Sequence, residues 1–312
     1  MKTFLNLTTP SSFHLVGFTD LQTGRIPAFF FFFLIYLLIL AGNLLIIFVS
    51  LMDVCLHKPM YFFLTHLSFL EVFYTTTVIP KLLQNFLLLH QTISFVGCFT
   101  QMYFFCIFGG TESILLAVMA YDRYLAICKP LHYSKLMRPK ICQNLTLGSW
   151  LIGVFASLIP TVSISKLPFC FFSIDHFFCD LLPVLKLSCS DTWLIELSMF
   201  VLTSIMSLGT FSWTLMSYAF IIVSILRMSS RGSQERAFST CAAHLAVVSI
   251  YYGTVITMYM GKGSQNHNKL LSVLYSIVTP LFNPFIYSLR NKEVRKAIAW
   301  VFCRSKGYCS EK

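Results

Sequence analysis

Seven apolar stretches, each long enough to cross a membrane, constrain this chain more than any other feature. A bilayer-spanning helix needs about 20 mostly apolar residues, and the stretches run over 26–51, 59–87, 93–126, 145–162, 194–226, 238–260 and 270–289. Only 11% of the residues are charged, against roughly 25% in a soluble domain. We therefore predict an all-α membrane protein, a seven-transmembrane helix bundle, with no room for a soluble catalytic module.

The basic residues divide unequally between the two sides of this predicted bundle. The net charge is +11, and sixteen of the 23 lysines and arginines fall on the side of the C-terminus. Because basic loops stay in the cytoplasm, we expect an extracellular N-terminal tail over 1–25, a membrane domain over 26–289 and a cytoplasmic tail over 290–312. The chain would then be a multi-pass protein of the plasma membrane. Its charge would face anionic lipid head groups and an intracellular partner, which disfavours nucleic acid.

Modification sites are predicted on both sides. Asn6 begins a glycosylation sequon in the extracellular tail. The stretch 291–303 alternates apolar and basic residues near helical spacing and predicts a short amphipathic helix on the inner membrane surface. Cys303 and Cys309 follow the last span and are candidates for palmitoylation; two free thiols are the alternative.

Four of the eleven cysteines lie at the predicted outer face: Cys98, Cys170, Cys179 and Cys189. An oxidising compartment favours disulfides among them. Four cysteines allow three pairings, and their spacing alone does not choose between the three.

Two acidic residues, Glu71 and Glu112, lie midway along predicted spans. A charge near the bilayer centre costs about 2.5–3.5 kcal/mol on insertion scales, so both carboxylates need compensation. Asn43 and Asn283 lie at plausible depths on neighbouring spans, and oxygen ligands suit a hard cation such as sodium. The alternative is that one or both acids are protonated and only form hydrogen bonds between helices.

Several short strings occur in order along nearly the whole chain. Residues 119–128 read MAYDRYLAIC, with Asp122-Arg123-Tyr124 at the cytoplasmic border of the third span. The others are GN at 42–43, PMYFFL at 59–64, LSFLE at 67–71, SY at 217–218, RAFSTCAAHL at 236–245 and PLFNPFIYSLRN at 280–291. Together these strings resemble the odorant receptors, a branch of the rhodopsin-like G-protein-coupled receptors. The departures are small: Arg236, Ala243 and Glu71 stand where Lys, Ser and Asp are usual.

The resemblance implies a switch at the cytoplasmic end of the bundle. Arg123 would pair with Asp122 in the inactive state and turn to the G protein on activation. The other residues that the resemblance assigns to this switch are Tyr124, Tyr218, His244, Asn283, Pro284 and Tyr287. Pro284 would kink the seventh span, since proline removes a backbone donor.

The resemblance also implies the disulfide pairing, Cys98–Cys179 and Cys170–Cys189. His176 and Asp180 flank Cys179 and are metal-ligand types, but a disulfide-bonded Cys179 is not a thiolate ligand. Sodium is then the one ion we expect, as a modulator, and no other cofactor is predicted.

The ligand pocket, by resemblance, lies in the outer half of the bundle. Its residues would be Phe105, Cys106, Gly109, Gly110, Leu202, Thr203, Met206, Tyr252, Val255, Ile256, Tyr259 and Ser276. None of them is formally charged, which favours a small, largely apolar volatile with one polar group over an amine or a polyanion. Any one of these residues would serve equally well in helix packing.

The function that follows from the resemblance is a receptor for odorants that activates a stimulatory, olfactory-type G protein and raises cAMP. The alternative is a receptor of the same fold for a non-odorant lipid or metabolite, because a fold does not set its ligand. A transporter would show inverted repeats and paired broken helices, and an enzyme would need a nucleophile with its base or a metal cluster. The sequence displays neither pattern, so we predict no enzyme.

Overall fold

The computed structural model of the protein describes residues 11–17, 24–88, 91–260, 265–290 and 292–305, although not every side chain in the last three helices. In this part of the chain there are seven long helices: α1 (Arg25–Met52), α2 (Pro59–Leu87), α3 (Phe95–Cys128), α5 (Pro139–Ser165), α7 (Trp193–Leu226), α8 (Arg231–Met260) and α9 (Gln265–Arg290). Shorter helices are α4 (Pro130–Leu136), α6 (Leu181–Leu185) and α10 (Lys292–Ser305), and Val54–Leu56 form a 3-10 turn. The predicted helix bundle is confirmed.

The helices extend beyond the apolar stretches at several ends. Helix α5 begins at Pro139 rather than at 145, and α8 begins at Arg231 rather than at 238. Hydropathy marks only the apolar centre of a helix, whereas backbone hydrogen bonding continues into its polar turns. Proline occupies the first turn of α2, α4 and α5, where its fixed φ suits a helix start and its missing N–H is not needed.

Large apolar side chains cover the outside of the bundle. Among the described residues, α1, α2, α3, α5 and α7 are long and apolar enough to cross a membrane, and α8 and α9 contain shorter apolar stretches at His244–Val255 and Ser276–Ile286. Phe30, Phe155 and Phe200 are each more than 60% exposed. An apolar surface of this extent needs lipid around it, because soluble monomers rarely expose large contiguous apolar patches.

Helix α3 lies at the centre of the packing. It contacts α2, α5 and α7, while α1 packs against α2 and α9, and α8 packs against α9. The interior is filled by side chains such as Tyr74, Phe63 and Leu67, which are fully buried. A residue in this core therefore contacts several helices at once. These contacts fix the helices relative to one another, and with them the depth of the polar side chains that the helices carry.

One end of the bundle, which we call the disulfide end, carries a small sheet and the cysteine bridges. Strand β1 (Ser12–Leu15) lies between β2 (Thr92–Ser94) and β3 (Ser173–Ile174), antiparallel to β2 and parallel to β3. The side chain of Phe13 is fully buried, and its ring lies 6.0 Å from Phe95 and 5.5 Å from Phe169. Part of the predicted tail thus packs on the bundle.

The opposite end, which we call the Arg123 end, carries α4, the 3-10 turn and α10. Helix α10 occupies Lys292–Ser305, where the sequence predicted an amphipathic helix over 291–303. Its Val294 and Ala297 are buried with Leu56 of the 3-10 turn in the main apolar cluster. Helix α10 is therefore docked on the protein by its apolar face.

The close approach of α3 and α5 gives the first testable prediction. A Cβ atom at Gly153 would clash with the Thr111 hydroxyl and lie 3.0 Å from the Ile107 carbonyl oxygen. Gly153→Val should therefore separate the two helices and cost about 1–3 kcal/mol, as overpacking usually does. The measurement is the Tm of the purified protein in detergent, which should fall.

Gly148 provides the control on the same helix, because no atom lies within 4 Å of the position of its Cβ. Gly148→Ala should leave Tm unchanged or raise it slightly, since alanine favours helix over glycine. Equal Tm values for Gly153→Val and the parent would contradict the proposed contact.

Candidate functional site

The loop between α5 and α7 covers the disulfide end and is fixed by two covalent bridges. Cys98 at the start of α3 is bonded to Cys179, and Cys170 is bonded to Cys189 within the loop. These are the two pairs that the resemblance implied. The loop contains β3, the short helix α6 and an antiparallel bridge between Phe169 and Ser188.

A buried glutamine, which the sequence analysis missed, joins this loop to two helices. The side chain of Gln101 donates a hydrogen bond to the Thr77 carbonyl oxygen of α2 at 2.8 Å. Its carbonyl oxygen accepts one from the backbone N–H of Cys179 at 3.0 Å. Gln101 thus ties α2, α3 and the loop together beside the disulfide.

The aromatic residues next to Cys179 reach the predicted ligand residues. The ring of Phe178 is fully buried and lies 4.7 Å from the ring of Phe105. Phe105 is in turn stacked on Tyr74 of α2 at 5.1 Å. The loop therefore places an aromatic side chain directly against the first residue of the predicted pocket.

Several other predicted ligand residues are brought together at this level of the bundle. A Cβ at Gly110 would lie 3.9 Å from the Met206 Cε atom and 3.8 Å from the Gly153 Cα atom, so α3, α5 and α7 meet there. The hydroxyl of Tyr251 donates to the Gly109 carbonyl oxygen at 2.9 Å. The ring of Tyr252 lies 4.9 Å from Phe211.

The remaining predicted ligand residues differ in how far they are buried. Val255 and Ser276 are buried, and the Ser276 hydroxyl donates to the Val273 carbonyl oxygen of its own helix at 3.0 Å. Cys106, Leu202 and Thr203 are partly buried. The side chains of Ile256 and Tyr259 lie outside the described residues. Ligand contact stays a prediction for the whole set.

The two buried acids lie where the sequence predicted. Glu71 and Glu112 are fully buried, and Asn43 and Asn283 are buried as well. The Asn283 amide donates to the Glu71 Oε1 atom. Asn43 donates instead to the carbonyl oxygens of Ile39 and Pro280, at 3.1 and 3.2 Å.

Oxygen atoms in this group remain without a hydrogen-bond donor among the described residues. They are Asn43 Oδ1, Glu71 Oε2 and both carboxyl oxygens of Glu112. Buried hydrogen-bond acceptors without a donor are costly. A sodium ion bound to their lone pairs, or a proton on a carboxylate, would remove that cost. Among the described residues, this group included, no three His, Cys, Asp or Glu side chains come together as a metal site.

At the Arg123 end, Asp122 has a partner that the sequence did not indicate. The hydroxyl of Tyr133 on α4 donates to the Asp122 Oδ1 atom at 2.8 Å. Burial, followed by the charge and the hydrogen bond of Asp122, raises the pKa of Tyr133, which keeps its hydroxyl a donor. No ion pair between Asp122 and Arg123 is found among the described residues, so the pairing expected for the inactive state stays a prediction.

A buried hydrogen bond joins two of the predicted switch residues. The Tyr218 hydroxyl of α7 and the His244 Nδ1 atom of α8 are 2.7 Å apart, and both side chains are buried. Tyr124 packs against the apolar cluster that contains Tyr218. Pro284 packs on α1, because a Cβ at Gly42 would meet the Pro284 Cβ atom at 2.9 Å. The side chain of Tyr287 lies outside the described residues.

Two further features of the Arg123 end were not predicted. Leu131 at the start of α4 is 92% exposed, an apolar side chain close in sequence to Asp122 and Tyr133. Glu293 of α10 forms an ion pair with Lys58 before α2. Burial raises the pKa of Glu293, but the hydrogen bonds from Lys58 and Tyr61 and the charges of Lys58 and Arg123 outweigh it, so the pKa lies below its usual value.

Some predicted modification sites fall outside this description. Asn6 and Cys309 lie beyond the described residues, as does the side chain of Cys303. Glycosylation and palmitoylation therefore stay predictions.

A seven-helix bundle with a disulfide-tethered loop at one end and an Asp-Arg-Tyr motif at the other defines a multi-pass membrane receptor. The olfactory receptor family model matches residues 32–305. The chain belongs to the olfactory receptor family, whose members are receptors and not enzymes.

Similar proteins cover almost the whole chain. Human "Olfactory receptor 11L1" is 48% identical over 97% of this chain and 95% of its own length. Human "Olfactory receptor 7C1" is 43% identical over 96% and 95%, and "Olfactory receptor 287" of Rattus norvegicus is 48% identical over 94% and 96%. The similarity to olfactory receptors therefore extends over nearly the whole chain.

The second prediction concerns Gln101. Gln101→Leu removes both hydrogen bonds at nearly constant volume, so the buried backbone N–H of Cys179 loses the acceptor that it has in the parent. We expect a loss of about 1–3 kcal/mol, measured as a lower Tm of the purified protein under non-reducing conditions. Gln143 of α5 is exposed, and Gln143→Leu should leave Tm unchanged. A parent-like Tm for Gln101→Leu would show that these two hydrogen bonds contribute little to the stability of the protein.

Proposed function

We propose that this chain is an odorant receptor that binds small, largely apolar volatile molecules in the half of the bundle near the disulfide end. The observation that carries this proposal is that none of the predicted ligand residues beneath the loop carries a formal charge. Phe105, Phe178 and Tyr74 form an aromatic group there, and the hydroxyls of Tyr251 and Tyr252 bring polar groups nearby. Such a lining suits a small apolar ligand with one polar group.

The disulfide end is extracellular in this proposal, and the Arg123 end is cytoplasmic in the plasma membrane. The support is the oxidising environment that disulfides require and the excess of lysine and arginine at the Arg123 end, which follows the positive-inside rule. Odorant would therefore enter under the loop, while the basic end would face anionic lipid and the intracellular partner.

The partner at the Arg123 end would be a stimulatory, olfactory-type G protein, and the response would be a rise in cAMP. Arg123 is partly exposed there, and the exposed Leu131 offers an apolar contact on α4. Activation would break the Tyr218–His244 hydrogen bond as α8 moves away from α7. A ligand shifts such an equilibrium only by its differential affinity for the two states.

The experiment that tests this function is a screen of volatile alcohols, aldehydes, ketones and esters against cells that express the chain, with cAMP as the readout. Arg123→Ala should abolish the agonist response, and Leu131→Ala should reduce its maximum, both at surface amounts equal to the parent. Leu147→Ala, on an exposed apolar residue of α5, is the control and should respond like the parent. An unchanged response of Arg123→Ala would contradict the assignment of the switch.

A receptor of the same fold for a non-odorant lipid or metabolite is the second candidate. A parallel panel of fatty acids, steroids and metabolites on the same cells separates the two. Activation by that panel alone would replace the odorant function.

We further propose that Glu71 and Glu112 share a sodium ion that favours the inactive bundle. The support is the set of buried oxygen atoms without donors described above and the hydrogen bond from Asn283, which holds Glu71 in place. The charge of Glu112 also acts on Glu71, and two mutually repelling carboxylates need a cation or a proton. Asn43 and Asn283 would complete the oxygen set.

The prediction follows from reciprocal linkage between the two ligands. Raising sodium should weaken agonist binding in the parent, and Glu112→Gln should reduce this effect because one carboxylate is lost. The measurement is agonist affinity in sodium against a large organic cation at equal ionic strength. Equal affinities in the parent would leave only a protonated, hydrogen-bonded pair.

A further inference from the structure

An ion pair connects the beginning of α2 to α10, which are far apart in the sequence. The Lys58 ammonium lies 2.7 Å from one carboxyl oxygen of Glu293 and 2.9 Å from the other. The hydroxyl of Tyr61, one turn into α2, donates to the Glu293 Oε2 atom at 2.8 Å. Tyr61 is buried, so its hydroxyl has a fixed direction and orients the carboxylate.

The charge pattern of α10 shows why this contact matters. Glu293 is the only acidic residue between Lys292 and Ser305, a stretch that carries four basic residues. Arg295 and Lys296 are exposed, and anionic lipid head groups attract such side chains. The carboxylate of Glu293 is repelled by anionic head groups, so it favours contact with a basic group of the protein.

The pair lies next to the end of α9, because Glu293 is the second residue of α10. Pro284 of α9 packs against Gly42 of α1, and α9 ends at Arg290, two residues before α10 begins. The segment from Pro284 to Arg290 thus lies between a contact with α1 at Pro284 and the docked helix α10 that follows it. The charge of Arg123 also acts on Glu293, so α10 lies within the field of the switch arginine.

We infer that Glu293 is a positioning residue for G-protein coupling: held by Lys58 and Tyr61, it fixes α10 and the end of α9 relative to α2 and Arg123. The buried Val294 and Ala297 supply the adhesion of α10, but apolar contacts are not directional. The oriented carboxylate supplies the rotation and register of the helix. This inference rests on the proposed coupling to a G protein.

The test is a charge exchange in the full-length receptor. Glu293→Lys and Lys58→Glu each place like charges together, and the double variant restores an opposite pair. Two readouts are used: deuterium uptake of the peptide over 292–305 in purified receptor without agonist, and the maximal agonist response at matched surface amounts. Each single variant should raise the rate of deuterium uptake and lower the maximal response, each by roughly threefold or more. A change of this size corresponds to an exposed ion pair strengthened by a third group. The double variant should return both readouts towards the parent.

The matched control combines Glu293→Lys with Lys296→Glu. It has the same net charge as the exchanged pair, but its new acid lies on α10 and not opposite residue 293, so it should not rescue either readout. Glu293→Gln removes the charge without adding repulsion, so both readouts should lie between those of the parent and of Glu293→Lys. It also takes the place of Glu293→Lys in the test if the reversed charge prevents folding.

Uptake that is unchanged in both single variants would overturn the inference, because α10 would then be held by its apolar face alone. Altered uptake with a parent-like response would overturn the link to coupling. Failure of the proposed function has a different signature: the parent itself gives no response to any agonist, while deuterium uptake still reports on the contact.

Discussion

The absence of water in the hydrocarbon core of a membrane is the constraint on which this structure depends. A backbone N–H or C=O group without a partner costs several kcal/mol there, so a spanning segment must satisfy its own hydrogen bonds. The chain meets this requirement with α1, α2, α3, α5, α7, α8 and α9. The strands found among the described residues all lie at the disulfide end, beyond the bundle. Side chains such as Phe200 can then remain exposed on the surface, since lipid tails are as apolar as the side chains themselves.

The same constraint gives the buried polar side chains their meaning. A buried polar side chain that finds its partner on another helix sets the relative position of the two helices. Asn283 with Glu71 relates α9 to α2, and Tyr218 with His244 relates α7 to α8. The first bond involves a carboxyl group that needs a cation or a proton for compensation, whereas the second joins two uncharged side chains. A neutral hydrogen bond contributes only about 0.5–1.5 kcal/mol, which makes the contact between α7 and α8 the easier one to exchange during activation.

Much of this arrangement could be predicted from the sequence, because hydropathy and short motifs are local signals. The seven helices follow from apolar length, and the Cys98–Cys179 pairing follows from the resemblance to odorant receptors. Strand β1 has an alternating pattern, polar at Ser12 and apolar at Phe13, but four residues in a polar tail are too short a signal. The contacts of Gln101 and Tyr133 carry no local signal at all, since their partners lie on other elements. For Glu293 a signal existed, a single acid in a basic helix, although its partner Lys58 is 235 residues away.

The two ends of the bundle are held by different kinds of interaction, and this difference fits the work of a receptor. At the disulfide end, covalent bridges, the sheet around β1 and Gln101 hold the loop in one place, so the ligand residues beneath it keep their geometry. At the Arg123 end, Asp122 with Tyr133 and Glu293 with Lys58 and Tyr61 are noncovalent polar contacts. Contacts of this kind can exchange for hydrogen bonds to a partner protein, whereas a covalent bridge cannot. Under the proposed function, a ligand bound beneath this fixed loop would therefore cause movement mainly at the Arg123 end, where the contacts are easier to replace.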